Sequence, residues 1–379
     1  MKCPSRIAID ASAARMGGGA SRTLELAVTL GELAPQHEYL FVLSPRLAER
    51  LTIVPPRSRL VVVPPAFASV AGRLAWQHLL LPSTMARAQA DWILSPFNTL
   101  PLGPGLRRRT RRAVIVSNIG PFAPEIVGVM RGYQAARNRV LRTITLQSLS
   151  AADHVFLLSR TAQELLGSVL QGKPVTYLPM APPSPRIMNE AEAVELPDAL
   201  ISAPFFVCAG DFFPYKGFED AVRAVGLLRR SGRAPRLIVC GNPMDASYAR
   251  SLQDLARREA PGGVVLLKGI TQPQALALMR HSVATVMSSR AENTSRVPVE
   301  AMALGSPLLS ADIPNARASA GDAALYYPPG DHERLAGLMR TVLESPDVSP
   351  EMSARGAARL SDLDWMSATR TLLEALDLL

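Results

Sequence analysis

Short runs of apolar residues recur along nearly the whole sequence and are separated by longer amphipathic stretches. In the first half of the chain the runs cover residues 6–10, 39–43, 60–63, 92–94, 113–116, 154–158 and 175–178. In the second half they cover residues 205–209, 236–240, 264–268, 284–287, 307–310 and 324–326. Helical periodicity fills many of the intervals, for example at residues 22–33, 133–150 and 218–230. Runs that are apolar throughout are typical of parallel sheets covered by helices on both faces, so the sequence predicts an α/β protein.

A proline-rich segment divides the predicted strands into two groups. Its prolines are Pro179, Pro182, Pro183 and Pro185. Because proline continues neither a helix nor a central strand, the segment is predicted to be a semi-rigid connection. A chain of 379 residues is also long for a single core. We therefore expect a first domain over residues 1–183, a linker over 184–197 and a second domain over 198–362.

The three cysteines, Cys3, Cys208 and Cys240, form no closely spaced pair. Their odd count favours a reducing compartment and argues against a disulfide framework or a structural zinc site. The five histidines show no metal-ligand spacing, and the carboxylates form no D-x-D pattern. No apolar segment reaches the roughly 18 residues of a membrane span, and the N-terminus lacks a signal-peptide pattern. We therefore expect a cytoplasmic protein that needs neither a metal nor another cofactor.

Lysine and arginine outnumber aspartate and glutamate by 41 to 32, which gives a formal net charge of +9. Such a surplus attracts polyanions. The densest basic segment, residues 107–112, has no interleaved aromatic residue, which argues against nucleic-acid binding by base stacking. Two interpretations remain for this segment. It is either a charged loop before the strand at 113–116, or a patch that contacts anionic lipid at about 1 kcal/mol per basic residue.

The strongest signal for a ligand site lies at residues 288–305. A buried strand leads there into a polar loop and then into a helix that has Pro298 in its first turn. The loop supplies amide and hydroxyl donors at Asn293, Thr294 and Ser295. At the carboxyl end of a parallel strand, the free amides of a helix start form an anion site. Two carboxylates in that place, Glu292 and Glu300, would repel a phosphate and are better suited to accept hydrogen bonds from sugar and ribose hydroxyls.

This segment resembles the E-x7-E motif of the retaining GT-B glycosyltransferases, in the large family known as group 1 or family 4. The spacing of Glu292 and Glu300 matches, and so do Pro298 and the Glu-Ala-Met sequence before Gly305. The resemblance implies two Rossmann-like parallel-sheet domains that face each other across a cleft. It also implies that Glu292 contacts hydroxyls of the transferred sugar and that Glu300 contacts the ribose. Residues 363–379 resemble the family's terminal helix, which crosses back onto the first domain.

A second stretch, residues 207–218, follows the first strand of the predicted second domain. Lys216 stands at the expected start of the next helix, where an ammonium can neutralise a leaving diphosphate. The family has a glycine, often an arginine, and then lysine-glycine in this region, and Gly210, Lys216 and Gly217 fit that pattern. Asp211 stands where many relatives carry the arginine. The resemblance therefore implies that Lys216 and the helix amides hold the diphosphate.

Two stretches in the predicted first domain complete the candidate site. A glycine run after the first strand is expected to form a loop that opens the helix at residues 22–33, and such a loop lets backbone amides approach a ligand closely. The resemblance makes Gly18 and Gly19 the candidates for contact with the donor. Ser117 stands where the family has a histidine near the reacting sugar. A serine hydroxyl can donate a hydrogen bond to the sugar but cannot take the same proton-handling role at neutral pH.

The resemblance implies a metal-independent, retaining hexosyltransferase of mannose or glucose type. Its donor would be a nucleotide diphosphate sugar, and its acceptor a glycan or a lipid-linked molecule in surface polysaccharide or glycolipid synthesis. The predicted catalytic residues are Lys216, Glu292 and Ser117. The donor is expected to contact Gly18, Gly19, Gly210, Asn293, Thr294, Ser295 and Glu300. The basic surplus adds the expectation of a peripheral contact with the inner face of the membrane.

Two further interpretations differ in class from a glycosyltransferase. Asp211 and Ser117 are departures from the family pattern, and they leave open a catalytically weakened module that binds nucleotide sugars as a partner subunit. Lys216, Glu292 and Glu300 argue against this alternative. A nucleotide-sugar epimerase of similar two-domain shape is less well supported, because its chemistry needs well-placed acids and a histidine near the donor.

Overall fold

The computed structural model describes residues 4–14, 17–67, 69–103, 106, 109–345 and 347–379. Cys3 of the cysteine analysis and Arg107 and Arg108 of the basic segment lie outside the described residues. The described chain forms two compact units. The first is drawn from the residues up to Ala123 together with Arg131–Met180 and Asp364–Leu379. The second is drawn from Pro124–Met130 and Ala181–Leu363.

The first unit is built on a sheet of seven parallel strands in the order β3-β2-β1-β4-β5-β6-β7. The strands are β1 (Arg6–Ala11), β2 (Glu38–Leu43), β3 (Ser58–Val62), β4 (Trp92–Ser95), β5 (Arg111–Val116), β6 (His154–Leu157) and β7 (Val175–Tyr177). Its central strands are almost wholly buried, as expected for strands covered on both faces. The strand order changes direction between β1 and β4.

The second unit is built on a sheet of six parallel strands in the order β10-β9-β8-β11-β12-β13. The strands are β8 (Phe205–Ala209), β9 (Arg236–Gly241), β10 (Val264–Lys268), β11 (Ala284–Met287), β12 (Leu308–Ala311) and β13 (Ala324–Tyr327). Here the order changes direction between β8 and β11. Cys208 in β8 and Cys240 in β9 are buried in this sheet. The predicted α/β class with two parallel sheets is confirmed.

Helices connect the strands of both sheets in the described part of the chain. They are α1 (Gly17–Leu33), α2 (Pro45–Ala48), α3 (Val70–Ala75), α4 (Leu81–Arg87), α5 (Pro124–Val127), α6 (Gly132–Ala151), α7 (Arg160–Leu170), α8 (Pro185–Glu192), α9 (Asp198–Ile201), α10 (Phe218–Arg230), α11 (Ala246–Glu259), α12 (Gln272–His281), α13 (Arg296–Ala303), α14 (Pro314–Ala320), α15 (His332–Glu344), α16 (Val348–Leu360) and α17 (Trp365–Ala375). Short 3₁₀ turns cover Pro65–Phe67, Pro214–Lys216 and Gly321–Ala323, and one π-helical turn covers Trp76–Leu80. None of the helices in the described ranges is both long and apolar enough to cross a bilayer.

The glycine run after β1 differs from its predicted form. It was expected to be a loop that opens a helix at residue 22, but α1 already begins at Gly17, so Gly18 and Gly19 lie in its first turn. The first turn of this helix lies close to another segment of the first unit. A Cβ at Gly19 would lie 2.3 Å from Cε1 of Phe97, in the segment that follows β4. The glycine therefore lets the helix start pack against an aromatic ring, which its poor helix propensity would not suggest.

The segment predicted to be a linker also has regular structure. Residues 185–192 form α8, which has Pro185 at its first turn and packs against α12 in the second unit. Proline at the first position of a helix loses no intrahelical hydrogen bond, because the amide there has no partner in any case. The proline that was read as an interruption thus begins a helix.

The C-terminal helix α17 packs against α1 in the first unit. The hydroxyls of Thr29 and Thr369 lie 2.6 Å apart, and Nε2 of His37 lies 2.8 Å from the carbonyl oxygen of Leu378. Leu372 and Leu373 are buried in the core that also contains β1 and β2. The last residues of the chain therefore complete the hydrophobic core of the first unit.

Candidate functional site

The reversal of strand order in the second sheet fixes where a ligand site can form. Helices that follow β8 and β11 leave on opposite faces of the sheet, so the loops after these two neighbouring strands border a crevice at their carboxyl ends. The first loop, residues 210–217, contains Lys216, and the second, residues 288–295, contains Glu292. Two stretches that are far apart in the sequence are therefore brought together by the topology of the sheet.

Lys216 and Glu292 form an ion pair in this place. The Nζ of Lys216 lies 2.6 Å from Oε1 of Glu292, and both side chains are largely buried, at 14% and 10% exposure. The hydroxyl of Ser289 donates to the same carboxylate oxygen at 2.6 Å. The side-chain amide of Asn315 donates to the main-chain carbonyl of Glu292. Glu292 is thus held from three sides, with its Oε1 engaged by two donors.

The charge of Lys216 is stabilised by its neighbours. Burial of the ammonium favours the neutral form, but Glu292, Tyr215 and Asp211 together outweigh burial and raise the pKa of Lys216 above its ordinary value of 10.5. The Nζ also lies 5.4 Å from the centre of the Tyr215 ring, which stacks in turn on Phe213. Lys216 is therefore a fixed cation at neutral pH.

The turn that carries Lys216 is joined to the second loop through main-chain contacts. The hydroxyl of Ser288 donates to the carbonyl of Lys216 at 2.8 Å, and the amide of Arg290 donates to the carbonyl of Tyr215 at 2.7 Å. Gly217 has φ +60°, and a Cβ there would lie 2.5 Å from the carbonyl oxygen of Ser288. Only glycine fits this backbone conformation and this separation at low cost.

The residues that follow β8 have both expected and unexpected partners. A Cβ at Gly210 would lie 3.5 Å from Cε of Lys216, so this predicted residue borders the lysine side chain. Asp211, at the position of the family's arginine, accepts hydrogen bonds from the side-chain and main-chain nitrogens of Asn242 at 2.8 and 3.2 Å. Its negative charge contributes to the raised pKa of Lys216. Asp211 therefore places a fixed acid at the position where the family commonly has an arginine.

Glu300 lies on α13 and has a different set of partners from Glu292. Its Oε1 accepts from the side-chain amide of Gln272 at 3.0 Å and lies 3.0 Å from a guanidinium nitrogen of Arg296. The helix ends at Ala303, and Gly305, which follows the capping residue with a φ of +65°, fits the predicted stop. The predicted loop residues Asn293 and Ser295 are buried, and Thr294 is half-buried. The structure thus brings Lys216 and Glu292 into contact and holds Glu300 through Gln272 and Arg296.

Ser117 lies at the carboxyl end of β5 in the first unit. Its main-chain amide donates to Oδ1 of Asn98 at 3.0 Å, and the amide of Asn118 donates to the same oxygen at 2.9 Å. The side-chain amide of Asn98 donates back to the carbonyl of Asn118 at 2.6 Å. Asn98 therefore fixes the backbone at Ser117, a role that the sequence did not indicate.

Asp10 is a second residue of the first unit that sequence reasoning missed. It is the penultimate residue of β1 and is almost fully buried, with Oδ1 accepting from the hydroxyl of Ser12 at 2.6 Å and Oδ2 from the side-chain amide of Gln77 at 2.7 Å. Burial raises the pKa of its carboxyl above the ordinary value of 3.8, and the bonds from Ser12 and Gln77 oppose that rise. The signal for it was present in the sequence, because an acid closes the apolar run at residues 6–10.

The described ranges lack a cluster of metal-binding side chains. No group of three or more His, Cys, Asp or Glu side chains among them is arranged to hold a metal ion. The polar contacts of the second unit are instead made by Lys216, by carboxylates and by hydroxyl and amide groups.

Two Rossmann-like units, each with a parallel sheet and a reversal of strand order, define the GT-B class of protein. The crystal structure of HepE from Anabaena in complex with UDP and glucose matches with a TM-score of 0.71 and 17% identity, over 99% of this chain and all of that one. At that identity the likeness concerns the fold. It covers both units.

Comparison of sequences finds similarity to a known family in the second unit. Residues 200–359 match the family model described as glycosyl transferases group 1. Glycogen synthase of Mycobacterium tuberculosis is 30% identical over 161 residues, which are 41% of this chain and 38% of that protein. The O-antigen chain mannosyltransferase of Salmonella typhimurium is 23% identical over 257 residues, 68% of this chain and 66% of that protein. Residues 200–359 are thus similar in sequence to the group 1 glycosyltransferases, and this match, like the alignment with the first of these relatives, covers less than half of the chain.

Proposed function

We propose that this chain is a retaining glycosyltransferase that moves a hexose from a nucleotide diphosphate sugar to a glycan or a lipid-linked acceptor. The observation that carries the proposal is the contact between Lys216 and Glu292 at the strand-order reversal of the second sheet. This contact lies within the segment that matches the family model. A fixed ammonium beside an oriented carboxylate suits a ligand that has a diphosphate and sugar hydroxyls next to each other.

Each residue of the site has a proposed role toward such a donor. Lys216 and the main-chain amides at the start of α13 neutralise the diphosphate, and no metal ion takes part. Glu292 accepts hydrogen bonds from hydroxyls of the sugar, while Glu300 accepts from the ribose. Gly210, Asn293, Thr294 and Ser295 line the donor, and Gly18, Gly19 and Ser117 of the first unit contact the donor phosphate and sugar. Together these groups position the reactants and stabilise charge.

The proposed transfer proceeds on one face of the sugar. The bond between the anomeric carbon and the diphosphate oxygen breaks as the acceptor hydroxyl attacks from the same side. The departing phosphate oxygen takes the proton of that hydroxyl, so the product keeps the anomeric configuration. Lys216 stabilises the charge that develops on the leaving group.

For the sugar and the acceptor, only the chemical class is proposed. A hexose of mannose or glucose type is supported by the names of two relatives, an O-antigen chain mannosyltransferase and a protein crystallised with UDP and glucose.

We place the reaction in the cytoplasm, which the buried thiols of Cys208 and Cys240 suit. A peripheral membrane contact through basic residues belongs to the same proposal. Of the described part of the basic segment, Arg111 begins β5 and its guanidinium lies 4.3 Å from the centre of the Trp92 ring, which favours the interpretation of a charged entry to a strand.

A ligand screen followed by an activity assay tests the proposed function. The purified chain is heated with UDP, GDP, ADP, UDP-glucose and GDP-mannose, and a nucleotide that binds the native state raises its melting temperature. The donor so identified is then incubated with the protein, and the anomer released or transferred is followed by NMR. Retained configuration supports the proposal. Failure of every nucleotide to shift the melting temperature, or binding without any hydrolysis or transfer, would contradict it.

A further inference from the structure

A buried carboxylate in the first turn of α10 joins three separate segments of the second unit. Asp220 has no exposed surface, and its Oδ1 accepts from a guanidinium nitrogen of Arg290 at 2.8 Å. Its Oδ2 accepts from the main-chain amide of Gly330, in the loop after β13, at 2.9 Å. An ionised carboxylate at such depth needs a charged partner, because burying an unpaired charge is costly. Arg290 is that partner, and the side chains of these two residues were not assigned a role in the site described above.

Arg290 is also part of the loop that presents Glu292. Its main-chain amide donates to the carbonyl of Tyr215, next to Lys216. The preceding residue, Ser289, donates to the Glu292 carboxylate. The guanidinium lies close to the backbone of the lysine turn, since a Cβ at Gly217 would be 3.2 Å from its Nε. The side chain of Arg290 therefore ties the loop to α10 at a point two residues before Glu292.

We propose that Arg290 is a positioning residue whose ion pair with Asp220 orients Glu292 toward the sugar of the donor. The ion pair holds the loop to α10, while the hydrogen bonds of Ser289 and Lys216 to Oε1 fix the carboxylate of Glu292 itself. Without the anchor the loop keeps its main-chain contacts but loses the fixed distance between α10 and the residues before Glu292. A small displacement of a group that orients a reactant is enough to reduce turnover strongly. This inference rests on the proposed function, because it assigns an effect on a donor sugar.

The test separates this role from a contribution to folding alone. Arg290→Met would leave Asp220 buried and unpaired, so the informative variant combines Arg290→Met with Asp220→Asn, which removes both charges and keeps an oxygen for Gly330. Arg290→Lys retains the charge. The exposed pair of Arg233 and Glu344, which joins α15 to the segment after α10, provides the matched control as Arg233→Met with Glu344→Gln. Circular dichroism and melting temperature establish that each variant is folded.

Binding of UDP, UDP-glucose, GDP and GDP-mannose is then measured by calorimetry, together with the rate of donor hydrolysis. The key quantity is the ratio of the Kd of the nucleoside diphosphate to the Kd of its sugar form, since only the sugar form contacts Glu292. We expect the Arg290→Met, Asp220→Asn variant to bind the nucleoside diphosphate like the unmodified protein. Its Kd ratio should fall about tenfold, which is the scale of a hydrogen bond to a charged group. Its kcat should fall by roughly 10²-fold, while Arg290→Lys restores most of both and the control pair changes neither.

Three results would overturn the inference. An unchanged ratio and kcat in the folded double variant would reduce the pair to a structural contact. An equal loss of binding for the nucleoside diphosphate and its sugar form would show that the whole site had collapsed, with no specific effect on Glu292. Absence of binding of all four nucleotides to the unmodified protein would remove the proposed function and this inference with it, which distinguishes that failure from the first two.

Discussion

Nζ of Lys216 lies 2.6 Å from Oε1 of Glu292, so the cation proposed for the diphosphate and the acid proposed for the sugar neutralise each other. A diphosphate that reaches Lys216 must share this contact or replace it. The two residues therefore act as a unit, and a change at one alters the electrostatics of the other.

Glu292→Gln separates the two proposed functions of the pair. The variant frees Lys216 from its anionic partner, so we expect tighter binding of UDP or GDP, by about tenfold. The gain from an attached sugar should decrease, because the amide is a weaker acceptor for its hydroxyls. Calorimetry with each nucleotide and its sugar form gives both quantities. Glu333→Gln, an exposed acid on α15, is the control and should leave both affinities unchanged. Weaker binding of the nucleoside diphosphate itself would contradict competition between Glu292 and the phosphate.

Lys216→Ala removes the charge that is proposed to stabilise the leaving group. We expect turnover to fall by about 10² or more, the scale for loss of one charge-stabilising donor. Steady-state kinetics with the identified donor measures the effect. Lys268→Ala changes an exposed lysine at the end of β10 and should have wild-type kinetics. Equal rates for Lys216→Ala and the unmodified protein would exclude the lysine from the mechanism.

Glu300→Ala is expected to weaken donor binding more than it lowers kcat. The loss should be about 1.5–3 kcal/mol, as for a hydrogen bond to a charged group, because the proposed partner is the ribose and not the reacting sugar. Calorimetry with the nucleoside diphosphate alone is sufficient to detect it. A matched control is Glu351→Ala, which breaks another glutamate–arginine pair four residues apart, but on the exposed face of α16. An unaltered affinity for the nucleotide would refute the ribose assignment.

Asp211→Asn tests the departure from the family pattern. The asparagine keeps an oxygen that can accept from Asn242 but removes a negative charge from the neighbourhood of Lys216. We expect tighter binding of UDP or GDP, and a steeper decline of that affinity with added salt, because the net charge of the site becomes more positive. Titrations at two ionic strengths measure both effects. If Asp211→Asn binds UDP or GDP more weakly than the unmodified protein at both ionic strengths, Asp211 assists donor binding and does not oppose it.

Asp10→Asn should change how stability depends on pH. Because burial raises the pKa of Asp10 in the folded protein, its contribution is fully present below the unfolded value of about 3.8 and is lost as pH rises through the folded pKa. The free energy of unfolding of the wild type, minus that of Asp10→Asn, should therefore decrease as pH rises from about 4. Urea unfolding of both proteins at several pH values up to 7 gives this difference. A difference that increases with pH would mean that the hydrogen bonds of Ser12 and Gln77 outweigh burial.

Local patterns in the sequence were enough to predict much of the fold and part of the site. Apolar runs without alternation indicated parallel sheets. A strand that is covered on both faces has no side facing water, so polar residues do not alternate with apolar ones along it. The segment from Glu292 to Glu300 was recognisable because the whole motif lies within one loop and one helix. Lys216 followed from its place before a helix start. Each of these features is encoded within a few adjacent residues.

Other features depend on contacts between distant residues, and only the tertiary structure decided them. The ion pair of Lys216 and Glu292 joins residues 76 positions apart, and the bond of Asp10 to Gln77 joins residues 67 positions apart. α1 begins at Gly17 and its Gly19 lies close to Phe97, a contact that no local propensity contains. Hydrophobic periodicity predicts that a strand exists but not which strand lies beside it. The sequence by itself therefore determined the elements and their chemistry, while the strand order determined which side chains meet, because a parallel sheet places the ends of sequence-distant strands next to each other.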